Sequence, residues 1–67
     1  MRGWFYKTNL GIVSVRPRQS RWMICWNGEP VGSYHSPVSA ADDAAMGIGL
    51  PLGVHGIPED ITEWRKF

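Results

Sequence analysis

A single cysteine, two histidines and an adjacent pair of aspartates are the residues of this 67-residue chain whose types invite catalytic chemistry. Cys25, His35 and Asp43 could serve as nucleophile, base and orienting acid, the roles a thiol enzyme fills. The local signatures that accompany cysteine nucleophiles are missing, and Cys25 falls mid-strand, where no helix N-terminus lowers its pKa. An inert strand cysteine is the expectation, and a small thiol enzyme ranks third among the readings. His35 and His55 with Cys25 do not make a zinc spacing. "GIGLPLG" shares only its glycine richness with a phosphate-binding loop, because no Lys-Ser/Thr follows it and no strand leads into it. No catalytic residue, metal ligand or cofactor is expected, and the chain reads as a non-enzymatic binding protein.

Charge is more informative. The net charge is only +1, yet Arg2, Lys7, Arg16, Arg18 and Arg21 fall within residues 1–21 with no acid among them. Glu29, Asp42, Asp43, Glu59, Asp60 and Glu63 then follow between residues 22 and 64 with no Lys or Arg. In the fold these halves either form two patches that steer partners of opposite sign or neutralise each other. Arg16, Arg18 and Arg21 beside Trp22 combine cations with an aromatic, as phosphate backbones favour; the plain alternative is a solvated turn. Asp42 and Asp43 read first as a solvated helix face. With Glu59, Asp60 and Glu63 they make the acidic side, the more numerous set, and the one expected to meet a partner.

The elements that position these residues are legible from their periodicity. "WFYKT" is a run of strand formers, and "LGIVSVRPR" puts Val13 and Val15 on one face with Ile12, Ser14 and Arg16 on the other. Pro17 should stop that strand. In "RWMICW", Trp22, Ile24 and Trp26 share one side and Met23 and Cys25 the other, before Asn27-Gly28, which suits a two-residue hairpin turn. Val31 to Tyr34 returns as an edge strand, with Gly32 at a bulge or a close approach. Ser36 as N-cap and Pro37 as first residue open a helix to about Met46, closed by Gly47, with Val38, Ala41 and Ala45 on its inner stripe. Leu50, Leu52, Val54 and Ile57 should wrap the core, with Ile61 and Trp64 as anchors. Ile12, Met23 and Cys25 form an outward apolar patch unless the C-terminal segment covers them.

The fold class is therefore α+β: one domain, 1–67, with an antiparallel sheet of three to four strands, one helix on one face and an ordered C-terminal tail. So short a chain buries only about 60% of its unfolded surface, and four Trp, two Tyr and two Phe must supply the core. No apolar run resembles a signal peptide or a membrane span, so no membrane partner and a cytoplasmic location are expected, with Cys25 reduced.

Two resemblances add expectations. "RWMICW", "GSY" and "SPVSAADDAA", within residues 21–45, resemble the AP2-type DNA-binding domain and the AP2-like arms of phage integrases. That resemblance implies a three-stranded sheet on one helix, with DNA read by the sheet face opposite the helix through Arg and Trp. "GWFYKTNLG", "GSYHSP", "AADDAA" and "GIPEDITEW" are similar to a family of short bacterial and mobile-element proteins. Proteins of this size from phages include anti-CRISPR inhibitors, which bind effector complexes stoichiometrically. This second resemblance implies a small inhibitor that binds a larger protein or protein–nucleic acid complex; direct DNA binding is the alternative.

Overall fold

The structure, a computed structural model, describes residues 3–67, so Arg2 lies outside the described residues. Strands β1 (Trp4–Lys7), β2 (Ile12–Arg18), β3 (Arg21–Trp26) and β4 (Glu29–Tyr34) run in order into helix α1 (Pro37–Ala45). A 3₁₀ turn at Ile61–Glu63 then leads into β5 (Arg65–Lys66). All pairings are antiparallel, and the sheet order is β4-β3-β2-β1-β5. The α+β class and the single helix agree with expectation, whereas the sheet has five strands because the tail adds a two-residue edge beside β1.

Hairpin chemistry sets the register. Asn27 and Gly28 both have positive φ, 50° and 90°, as the tight turn between β3 and β4 requires. Asn27 also ties the opposite end of β2: its backbone N–H donates to the Ile12 carbonyl at 2.8 Å, and its Oδ1 accepts from the Ile12 N–H at 2.9 Å. β2 does not stop at Pro17. It runs on to Arg18, with Pro17 opposite Trp22 and Gln19-Ser20 making a second two-residue turn, Gln19 at φ 55°. The proline is tolerated because, among the described residues, the β1 ladder reaches only to Val15 and no paired neighbour there requires its missing donor. The ladder irregularity between Ile24 and Cys25 leaves Val31 as the extra residue of β4. Beside it Gly32 is bare for a second reason: a Cβ there would stand 3.1 Å from the Tyr34 ring.

The face shared by Trp4, Tyr6, Val13, Val15, Trp22, Ile24, Trp26 and Tyr34 packs under α1 and the tail. Val13, Val15 and Ile24 are fully enclosed, and Ile57, Ile61 and Trp64 close the core from the far side. The Trp64 indole N–H donates to the Pro58 carbonyl at 2.9 Å, which pins the tail under Tyr6. Ser36 caps α1 by accepting from the Ser39 N–H. The helix is turned from the expected stripe: Ala40, Ala41 and Ala44 are buried, and Val38 is 63% exposed. Bulky aromatics fill the sheet face, so the smallest side chains make the close approach and Val38 is left outside. Leu52, expected in the core, is 98% exposed at the tip of a loop. That loop is tied at its base instead, where Asn9 Nδ2 donates to the Gly53 carbonyl at 3.0 Å.

Candidate functional site

Only one face of the sheet carries the helix. Alternation places Phe5 and Lys7 of β1, then Ile12, Ser14, Arg16 and Arg18 of β2, on the other face, with Arg21, Met23 and Cys25 of β3. Ser33 of β4 and Arg65 of β5 join them through their cross-strand partners Met23 and Phe5. Lys7, Arg16, Arg18, Arg21 and Arg65 are all exposed. The acids lie elsewhere: Asp42 and Asp43 on α1, Glu59, Asp60 and Glu63 in the segment that packs against α1, and Glu29 at the end of the β3–β4 hairpin. Charge is therefore largely divided between the two sides of the sheet, with Lys66, the cross-strand partner of Trp4, as a cation on the helix side.

Within the basic face, Arg18 and Arg21 are direct cross-strand partners flanking the Gln19-Ser20 turn. Like charges opposite each other destabilise a hairpin. Arg21 is oriented by Ser33, whose hydroxyl and carbonyl accept from its guanidinium. Arg18, Gln19, Ser20, Arg21, Met23 and Ser33 line a shallow depression there. At the other end, the Arg16 guanidinium lies 5.1 Å above the Phe67 ring, and Phe67 stands 6.0 Å from Phe5. Phe67 follows β5 and exchanges both backbone hydrogen bonds with Gly3, at 3.2 and 3.1 Å. Gly3 must lack a side chain, since a Cβ there would come within 2.6 Å of the Val15 carbonyl and 2.9 Å of the Phe67 ring.

The expected acidic residues form the outer surface of the helix side. Asp42, Glu59, Asp60 and Glu63 are exposed, and Asp43 is half-buried. Some already have local structural roles. Asp60 accepts from the Thr62 N–H at 3.0 Å and from its hydroxyl at 2.7 Å, and these bonds hold the Asp60 carboxyl below its usual range. Burial, and then the neighbouring Asp43 carboxylate, push the Tyr34 hydroxyl above its ordinary value.

Cys25, His35 and Asp43 do not come together, because the sheet stands between Cys25 on the open face and the helix that carries Asp43. Cys25 is 5% exposed, so the thiol is closed to a substrate. Among the described residues no group of His, Cys, Asp and Glu is placed to hold a metal ion. The apolar patch resolves into parts: Ile12 is exposed, Met23 half-buried and Cys25 buried, while the tail packs on the helix side and sends Arg65 and Phe67 to this face. Trp22 leaves the arginines and turns inward to Trp4, 5.5 Å away. The aromatics beside the cations are instead Phe5 and Phe67. Phe5 could have been found from its alternation with Trp4 and Tyr6, but a two-residue β5 leaves no periodicity to find Arg65 or Phe67. No helix of the described chain is long and apolar enough to cross a membrane. Compared with protein-family models, curated proteins and solved structures, the chain matches none.

Proposed function

We propose that this chain is a non-enzymatic binding module whose open sheet face takes the phosphate backbone of a nucleic acid. The Arg18–Arg21 pair supports the reading most: two like charges are held opposite each other at a hairpin tip, at a cost in stability that an anion bridging them would offset. Arg16, Lys7 and Arg65 continue the same positive face along the sheet, and none of the acids that balance the net charge lies beside them. Use of the sheet face opposite the helix also agrees with the AP2-type resemblance, except that Trp22 takes no part. The test is a mobility shift of a labelled oligonucleotide with the parent protein and with Arg16, Arg18 and Arg21 all replaced by Gln. Binding should fall by an order of magnitude or more in the variant and weaken steeply with salt in the parent. Binding by the variant at parental affinity would reject the reading.

A second reading draws on the opposite side. Asp42, Glu59 and Glu63 are exposed on or beside α1, so a phage or mobile-element inhibitor of the anti-CRISPR type could set them into the basic channel of a larger protein or protein–nucleic acid complex. Its signature is the reverse one: Asn and Gln replacements of Asp42, Asp43, Glu59, Asp60 and Glu63 weaken the complex, and the arginine variant retains it.

A further inference from the structure

Phe5, Ile12, Ser14, Arg16, Asn27 and Phe67 line a groove of about 500 Å³ on the open face. We infer that this groove receives an unpaired base of a single-stranded nucleic acid, an assignment that rests on the basic face binding a phosphate backbone. Three observations point to a base. The lining is mostly apolar and includes two aromatic rings, whereas Arg18 and Arg21 lie at the far end of the β2–β3 hairpin. A strand lying along β2 would thus meet phosphate ligands at one end and a stacking surface at the other. Phe67 is 42% exposed, so part of its ring is free to accept a planar partner. Arg16 lies over the same ring, and a guanidinium beside an aromatic is a combination on which bases stack. Phe5 and Phe67 are inclined at 55° and so cannot clamp a base between parallel faces; with Arg16 over Phe67, the base meets the guanidinium and the exposed part of that ring together.

The occupant is single-stranded because the groove offers a stacking surface. A sheet face can itself meet a duplex in its major groove, but a duplex keeps its base faces in the stack and presents only base edges and backbone, whereas a single strand presents an open base face together with a phosphate.

The experiment titrates the protein into two fluorescein-labelled probes at the same low salt: a 12-nucleotide oligothymidine and a mixed-sequence duplex of 12 base pairs. Anisotropy is read for the parent, Phe67→Ala, Phe67→Leu and the Arg16, Arg18 and Arg21 to Gln variant. Phe67→Leu preserves apolar bulk against Gly3 and Phe5, so it tests stacking in a folded protein. The parent should bind the single strand about tenfold or more tightly than the duplex. Both Phe67 variants should lose about 5- to 150-fold on the single strand, the worth of one stacked base, with duplex binding unchanged. Equal affinity for the two probes, or Phe67→Leu binding the single strand like the parent, overturns the base pocket. If the arginine variant still fails on both probes in that case, the basic-face reading survives alone. If the parent binds neither probe, both fall.

Discussion

On the proposed phosphate-binding reading, Arg18 is where stability and binding oppose each other most directly. It faces Arg21 across the hairpin, and Arg21 is already fixed by Ser33, so Arg18 bears the repulsion without a hydrogen-bond partner of its own among the described residues. Arg18→Gln should therefore leave the free protein as stable as the parent or more so, by about 0.2–1 kcal/mol, while weakening binding to an oligonucleotide. Thermal melting and anisotropy on the same sample check both halves; a variant that melts lower and binds as well contradicts the assignment. Asp60 gives a pH-dependent counterpart. Its carboxyl is held below the usual range by Thr62, so its contribution is complete above the ordinary aspartate pKa of about 3.9 and disappears as pH falls through the lower folded value. Melting curves of Asp60→Ala and the parent should differ at pH 6 and converge under strong acid. At this scale the sequence shows which residues are charged but not which face each one reaches. Trp22 stands beside the arginines in sequence, yet strand alternation sends it to the opposite side, and the aromatics that do accompany them come from β1 and the tail.

The strands were legible wherever a strict period of two met a turn that demands particular residues. Val13, Val15 and Ile24 fall inside as alternation requires, and Asn27-Gly28 makes the turn those residue types indicate. Ile24→Ala should cost about 2–5 kcal/mol, since its side chain is almost wholly enclosed beneath α1. Trp22→Ala and Trp26→Ala should also be strongly destabilising, toward the lower part of the usual 3–5 kcal/mol because both rings are only half-buried. Urea denaturation ranks the three; a parental midpoint for Ile24→Ala would mean the sheet faces are inverted. The helix was legible in its start and stop but not in its rotation. A stripe of alanines offers little hydrophobic contrast, so the pattern points Val38 inward although it is exposed. Val38→Ala should change stability by no more than about 0.5 kcal/mol, whereas Ser36→Ala, which removes the cap on the Ser39 N–H, should cost about 1 kcal/mol. Pro17 misled for a related reason. A proline ends a strand only where a neighbour needs its donor, and that depends on how far β1 extends.

At the scale of the molecule, the sheet separates the charges that the sequence had already divided in order. Early strands contribute cations to the open face, and the later helix and tail cover the other face and carry most of the acids, so a division along the chain becomes a division in space. Counting charges favoured the acidic side, because its residues are more numerous. Position favours the basic one, because there the cations share a surface with exposed aromatic rings and a groove. That difference was beyond sequence reasoning: whether two halves face apart or neutralise each other depends on which face the helix covers and where β5 inserts. The measurement that tests the central claim most directly is the salt dependence of oligonucleotide affinity for the parent and for the variant with Arg16, Arg18 and Arg21 changed to Gln. Each cation that meets a phosphate adds about 0.7–0.9 to the slope of log affinity against log salt. The parent should bind with a steep negative slope, and the variant's slope should be shallower by about 2–3; identical slopes for the two proteins, or no binding by the parent at low salt, would contradict a nucleic-acid-binding sheet face.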